Sequence, residues 1–287
     1  MPSMVKILST LRRHVAIRSA FWGLAIVVAL LGAAVVSSLT LDVGPIFRPA
    51  IESYLSRLVQ RPVRVGRMRI NILSGLLLGR VQLEDVTIQG RIPSDRPFFT
   101  ARTLSASIDW WPAIARRPNI SITAVELDDW EMLVEKWKDG DSFPRFRRNT
   151  QPDAGPRPFT ATLRSFRGSR GRFTYEDHES PWSVFAPGVE LTIGNLPKYS
   201  GRVASKGGLI SIQDYVPMWS DFNIRFDIDG DIIHLTNIDL TTDGAHSTAS
   251  GDLDMAHWPE QRYTGSSHVR FQRMREIFFA REEWPLK

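Results

Sequence analysis

Apolar and polar residues alternate along most of the chain beyond Pro62, but in places the alternation slips by one residue. In VQLEDVTI, Val81 and Leu83 share one parity and Val86 and Ile88 the other. In a flat strand the two pairs would point to opposite sides. The same octet spacing, apolar at positions 1, 3, 6 and 8, recurs in VRVGRMRI (63–70), VELDDWEM (125–132) and IHLTNIDL (233–240). A β-bulge gives such a slip, re-aiming and twisting the strand while its apolar residues stay on one face. Two short strands joined by a tight turn are the alternative for any single copy. The octet starts lie 18, 44 and 108 residues apart, which excludes a regular solenoid period.

Other stretches keep step. Phe222, Ile224, Phe226 and Ile228 alternate before the turn Asp229-Gly230-Asp231, as do Leu104, Ala106, Ile108 and Trp110. LSGLLLG suggests a hairpin around Ser74-Gly75. Ahead of the strands, GPIFRPAIESYLSRLVQRP carries Phe47, Ala50, Ile51, Tyr54, Leu55 and Leu58 at helical spacing and stops at Arg61-Pro62. Packing on its own domain is the expectation for this helix, with the membrane surface as the alternative. FPRFRRNTQPDAGPRP (143–158) has no period and four prolines, and reads as a long loop or a joint. The fold expected is mainly β: a transmembrane helix, a short amphipathic helix, then a curved, bulged, largely antiparallel sheet, either an open groove or the core of a sandwich.

The transmembrane helix comes from AFWGLAIVVALLGAAVVSSLTL, Ala20 to Leu41, 22 residues without a charge. As a helix it is about 30 Å long, one bilayer core. Residues 1–18 hold Lys6, Arg12, Arg13 and Arg18 and no acid, which places that flank in the cytoplasm. A cleaved long signal is the alternative, although AVVSSL is a poor cleavage site. The organisation expected is a basic flank (1–18), a signal anchor (19–42), a helix with a first β-rich half (43–142), the Pro/Arg-rich loop (143–158) and a second β-rich half (159–287). Beyond the flank, 32 basic residues (36 less 4) face 31 acidic ones, so the basic pI implies no nucleic-acid surface. The chain has no cysteine, hence neither disulfides nor thiolate metal sites.

Catalytic constellations are not in evidence. The histidines at 14, 178, 234, 246, 257 and 268 form no close ligand pair, and the even spacing of the last three falls in turn-rich sequence. Asp227 to Asp231 hints at a calcium loop, but its glycine stands fourth instead of sixth and the twelfth position is Ile238, so a hairpin turn fits better. Glu84-Asp85 and Asp128-Asp129 fall at the slips and read as solvent-facing. The chain is therefore expected to be no enzyme and to need no metal or cofactor, and an exported hydrolase is the least supported class. Arginine is dense around the loop; Arg145, Arg147 and Arg148 are candidates for anionic headgroup contact, against the plainer reading of a solvated loop.

Together the anchor, the helix leading into RPVRVG, the leucine-rich hairpin, VQLEDVTIQG, FFTARTLSASIDWW, ITAVELDDWEML and LTTDGAHSTASGDLDM resemble the N-terminal part of AsmA-like proteins, in particular the TamB-like branch. The resemblance touches most of 20–255. It implies an inner-membrane protein projecting into the periplasm, similar to chorein-type bridge-like lipid-transfer proteins, with a β-groove that moves phospholipid toward the outer membrane. An outer-membrane barrel is a further implied partner, and a non-catalytic module assisting outer-membrane protein assembly is the alternative role. The groove lining expected is Val81, Leu83, Val86 and Ile88 with Phe222, Ile224, Phe226 and Ile228. Members are commonly longer, and AREEWPLK reads as an unfinished strand segment, so a fragment or a short form is expected.

Overall fold

Alternation sustained over nine or more residues makes strands long, and the computed structural model places eleven of that length in one sheet. It describes residues 44–71, 78–109, 119–144, 160–195, 198–257 and 261–279. The uncharged run 20–41, the turn at Ser74-Gly75 and Arg145, Arg147 and Arg148 lie outside these residues. Helix α1 (Gly44–Val59) leads into β1 (Val63–Asn71), β2 (Leu78–Ile88), β3 (Phe99–Asp109), β4 (Asn119–Trp137) and the short β5 (Gly140–Asp141). Then follow β6 (Thr160–Asp177), β7 (Trp182–Gly194), β8 (Ser200–Ile212), β9 (Met218–Asp229), β10 (Ile232–Thr242), β11 (Ala245–Asp254), β12 (Gln261–Val269) and helix α2 (Phe271–Phe278). Neither helix is long and apolar enough to cross a membrane.

The sheet is open and curved, and neighbours in space are neighbours in sequence, save that β5 sits off the path beside β4. All pairings are antiparallel except β4 with β6, which run parallel from Asn119↔Thr160 to Lys136↔Asp177. One sheet therefore passes through both β-rich halves. Gly230, φ 58, turns β9 into β10 at the predicted Asp229-Gly230-Asp231 hairpin. The buried apolar side chains, among them Val63, Val65, Met68, Leu83, Val86, Leu127 and Trp130, form one cluster with Val59 of α1, and no second sheet packs on it among the described residues.

Each slipped octet lies inside one continuous strand, so the two-strand alternative is overturned. Pairing runs from Val65↔Val86 to Arg67↔Glu84, skipping Gly66 and Asp85. It skips Asp85 and Arg102 between β2 and β3, and Arg102 and Asp129 between β3 and β4. Asp85 (φ 55), Asp129 (φ 51) and Arg170 (φ 51) take the left-handed conformation there, as do Gly188 (φ 58) and Gly207 (φ 70) farther on. Such a residue turns the strand by one parity step and is costly for side chains other than those of Gly, Asn and Asp. The slips of β1 to β4, β6, β7 and β8 thus line up as one crease across the sheet. The slip in β10, between Leu235 and Asn237, lies off that line.

Helix α1 closes the edge at β1. Ser56 Oγ accepts from Val63 N–H (2.9 Å), Glu52 Oε1 accepts from Val65 N–H (2.7 Å), and Arg48 Nη1 donates to Gly66 O (3.0 Å). The sequence places six apolar residues on one stripe of this helix, and the structure divides them. Ile51 and Leu55 join Val59 against the sheet, while Phe47, Ala50, Tyr54 and Leu58 face outward.

Candidate functional site

The crease determines what the two faces carry. Because every slip preserves the apolar face, register lines up apolar residues in rows running across the strands. One row reads Met68, Leu83, Leu104, Leu127, Gly168, Leu191, Val203, Ile224, Ile238, Ala249 and Gly265. A second contains Val81, Ala106, Val125, Phe166, Ile193, Gly201, Phe226, Leu235, Gly251 and Tyr263. No charged side chain interrupts either row.

The expected lining residues fall on this one face. Val81 and Phe226 share a row, and so do Leu83 and Ile224, although seven strands lie from β2 to β9 along that path. Val86 and Phe222 both follow the crease, whereas Ile88 and Ile228 lie toward opposite ends of the strands. Leu83 and Val86 are buried and Val81 and Ile88 half-buried; on β9 Phe226 is buried while Phe222, Ile224 and Ile228 are half-buried.

Sequence periodicity missed two contributors. Phe99, Ala101, Leu104 and Ala106 of β3 have the slipped spacing and pair with Ile88, Val86, Leu83 and Val81. In β6 the octet 166–173 is slipped too, with glycines at its third and sixth positions between Phe166 and Phe173. The glycines have a steric cause. Trp130, 5% exposed, lies across them, and a Cβ on Gly171 would fall within its indole ring. Counting glycine as compatible with the apolar positions would have revealed this strand. The Trp130 Nε1–H finds no acceptor among the described residues.

The opposite face is polar. At the crease β2, β3, β4 and β6 each carry two consecutive polar residues, and cross-strand ion pairs hold several of them. Glu84 meets Arg67 and Arg69 (3.6 Å each), Asp129 meets Arg102 (3.7 Å), and Asp128 and Glu131 meet Arg170 and Arg172. Of the paired acids, Glu84, Asp128 and Asp129 are therefore partners of arginine on the polar face.

A third polar group lies where β4 and β6 end. Glu135, 6% exposed, accepts from Arg96 Nη2 (2.6 Å) and lies 3.2 Å from His178 Nε2, and Arg96 also grips Glu176. Glu135, Glu176 and His178 are close enough to share a metal ion. The Arg96 guanidinium already supplies the positive charge between the carboxylates, and its own pKa is raised by the hydrogen bonds to Glu176 and Glu135. The group ties the segment before β3 to β4 and β6. Nearby, Asp177 accepts from Glu179 and Ser180 N–H (2.9 and 3.1 Å) and from Lys136 Nζ (3.1 Å). The Ser180 bond first, then Lys136 and Glu179, hold its carboxyl at about 2, against the opposing effect of burial.

Of the histidines in the evenly spaced series, His246 and His268 are cross-strand partners, while His257 bonds Asp254 (2.7 Å). No group of metal-ligand spacing among the described residues includes them. No protein-family model matches the sequence, and the search of curated proteins finds no match.

Proposed function

We propose that the chain is a membrane-anchored envelope protein that holds phospholipid acyl chains against the apolar face of its sheet and passes them along the rows. It is not an enzyme on this reading, needs no cofactor, and works between an inner membrane and an outer-membrane partner. The observation carrying it is the pair of uninterrupted apolar rows on a curved, open sheet with no second sheet packed on it among the described residues. Monomeric proteins rarely leave so large an apolar surface bare. Acyl chains laid along it would gain roughly 0.8 kcal/mol per buried CH₂. The AsmA-like resemblance supplies the compartment and the direction of transport.

The test is photocrosslinking of the full chain in vesicles containing phospholipid with a diazirine near the acyl terminus. Adducts are expected on Ile224, Ile238 and their row neighbours, and to be lost on Ile224→Asp with the fold intact. Adducts confined to 20–41 would overturn the proposal. A second reading, a non-catalytic module assisting outer-membrane protein assembly, is favoured by β12, all nine of whose residues are exposed. Such a strand edge accepts a partner strand.

A further inference from the structure

We infer that the outward stripe of α1 lies in the bilayer interface and seats the β1 end of the sheet on the membrane. The inference rests on the anchor reading of residues 20–41 used above.

Helix α1 is apolar on two sides. Ile51, Leu55 and Val59 are used against the sheet. Phe47 (50% exposed), Tyr54 (61%) and Leu58 (41%), spaced seven and four residues apart, form a separate stripe with Ile46 (74%) at its margin. Scattered exposed apolar residues need no explanation, but an ordered stripe on one short helix does.

Three features select a lipid surface as the occupant. The uncharged run ends at Leu41, and only Asp42 and Val43 separate it from the first helical residue. Three residue steps reach at most about 10 Å, so α1 cannot stand farther than that from the end of the span. Charge agrees: Glu52 is the helix's one acid, and it is turned to the Val65 amide and Arg48. The exposed Arg57, whose Nε donates to Ser53 O (3.3 Å), stands beside the stripe with its charge suited to phosphate headgroups. Third, Tyr54 and Phe47 have the amphipathic or aromatic character that favours the headgroup boundary.

The consequence concerns where lipid enters. Because Glu52, Ser56 and Arg48 bond the backbone of β1 directly, seating α1 fixes the first strand at the membrane surface. The apolar rows then begin at the bilayer and lead away from it toward β12.

The chain has no cysteine, so single cysteines can be placed without background. Spin labels on Tyr54→Cys, Leu58→Cys and Ser53→Cys, and on Leu30→Cys within the predicted span, are read in the full chain reconstituted in phosphatidylcholine vesicles with one quarter phosphatidylglycerol. Labels at 54 and 58 are expected to be open to oxygen and shielded from a water-soluble nickel chelate, at about 5–10 Å depth, while 53 is open to nickel. Position 30 shielded with 54 and 58 as open to nickel as 53 would overturn the inference and leave the anchor standing. Dipolar broadening between labels at 54 would assign the stripe to a second copy and overturn it too. Position 30 open to nickel would remove the anchor reading and the inference together.

Discussion

The two edges of the sheet are built differently. At β1, a helix supplies a hydroxyl, a carboxylate and a guanidinium to the backbone groups of the outermost strand. At β12, no element lies alongside among the described residues, and every residue is exposed. The apolar face changes in the same direction. Along the crease it carries Val65, Val86, Ala101 and Trp130 on the early strands, all at most 5% exposed. On the later strands that row reads Ser205, Phe222, Leu240, Ser247 and Ser267, and its large side chains are only half-buried. One strand pattern thus serves two ends: where bulky side chains fill the crease the face makes its own core, and where they thin out it remains available.

Trp130 gives the largest contrast. Trp130→Ala removes a buried ring from over Gly168 and Gly171 and is expected to cost about 3–5 kcal/mol in denaturant unfolding. Ile224→Ala, in the half-buried part, should cost well under the ~2–5 kcal/mol of a fully buried isoleucine. Equal losses would mean that the later strands are a closed core as well, and the contrast would be gone.

The edges supply the next. Hydrogen exchange should find the Val63 and Val65 amides protected and alternate amides of β12 fast. Glu52→Ala leaves the Val65 N–H without its carboxylate and should cost about 1.5–3 kcal/mol, the range for a hydrogen bond to a charged group. Protection at β12 equal to that at β1 would point to a strand already seated on the free edge.

Much of this was legible because bulges obey parity. The octets at 63–70 and 81–88 lie side by side with 125–132 beyond one intervening strand, and alternation grouped Val81 with Leu83 and Ile224 with Phe226, while their common face came only with the AsmA-like resemblance. The glycines of β6 hid a strand because their role is to make room for Trp130, a partner 38 and 41 residues away in sequence. Helix periodicity could not divide α1 into a side facing the sheet and a side facing out, since Ile51 and Tyr54 are equally apolar in pattern. The parallel pairing of β4 with β6 was also out of reach, because the Pro/Arg-rich stretch between them has no period to read.

Two aspartate turns offer the finest comparison. Asp177 closes β6 onto β7 in the buried part, and Asp254 closes β11 toward β12 in the exposed part. Each accepts backbone N–H bonds from the residues two and three positions on. Asp177 is held at about 2 against an ordinary 3.8; Asp254 is lowered, chiefly by its bond to His257 and then by those backbone amides. A carboxyl depressed by folding stabilises the native state above its unfolded value and loses that contribution as pH falls through its folded value. Protection of the Glu179 and Ser180 amides should therefore decline between pH of about 4 and 2. Asp177→Asn keeps an acceptor for the turn but cannot titrate, so it should flatten this decline and also lower protection at higher pH by losing the charge opposite Lys136. The corresponding substitution Asp254→Asn should change the profile of its own turn less, because that carboxylate is the more exposed and its partner histidine is largely in solvent. If both turns titrate alike, the polar ends of the strands do not share the asymmetry of the apolar face, and the difference between the halves is confined to packing.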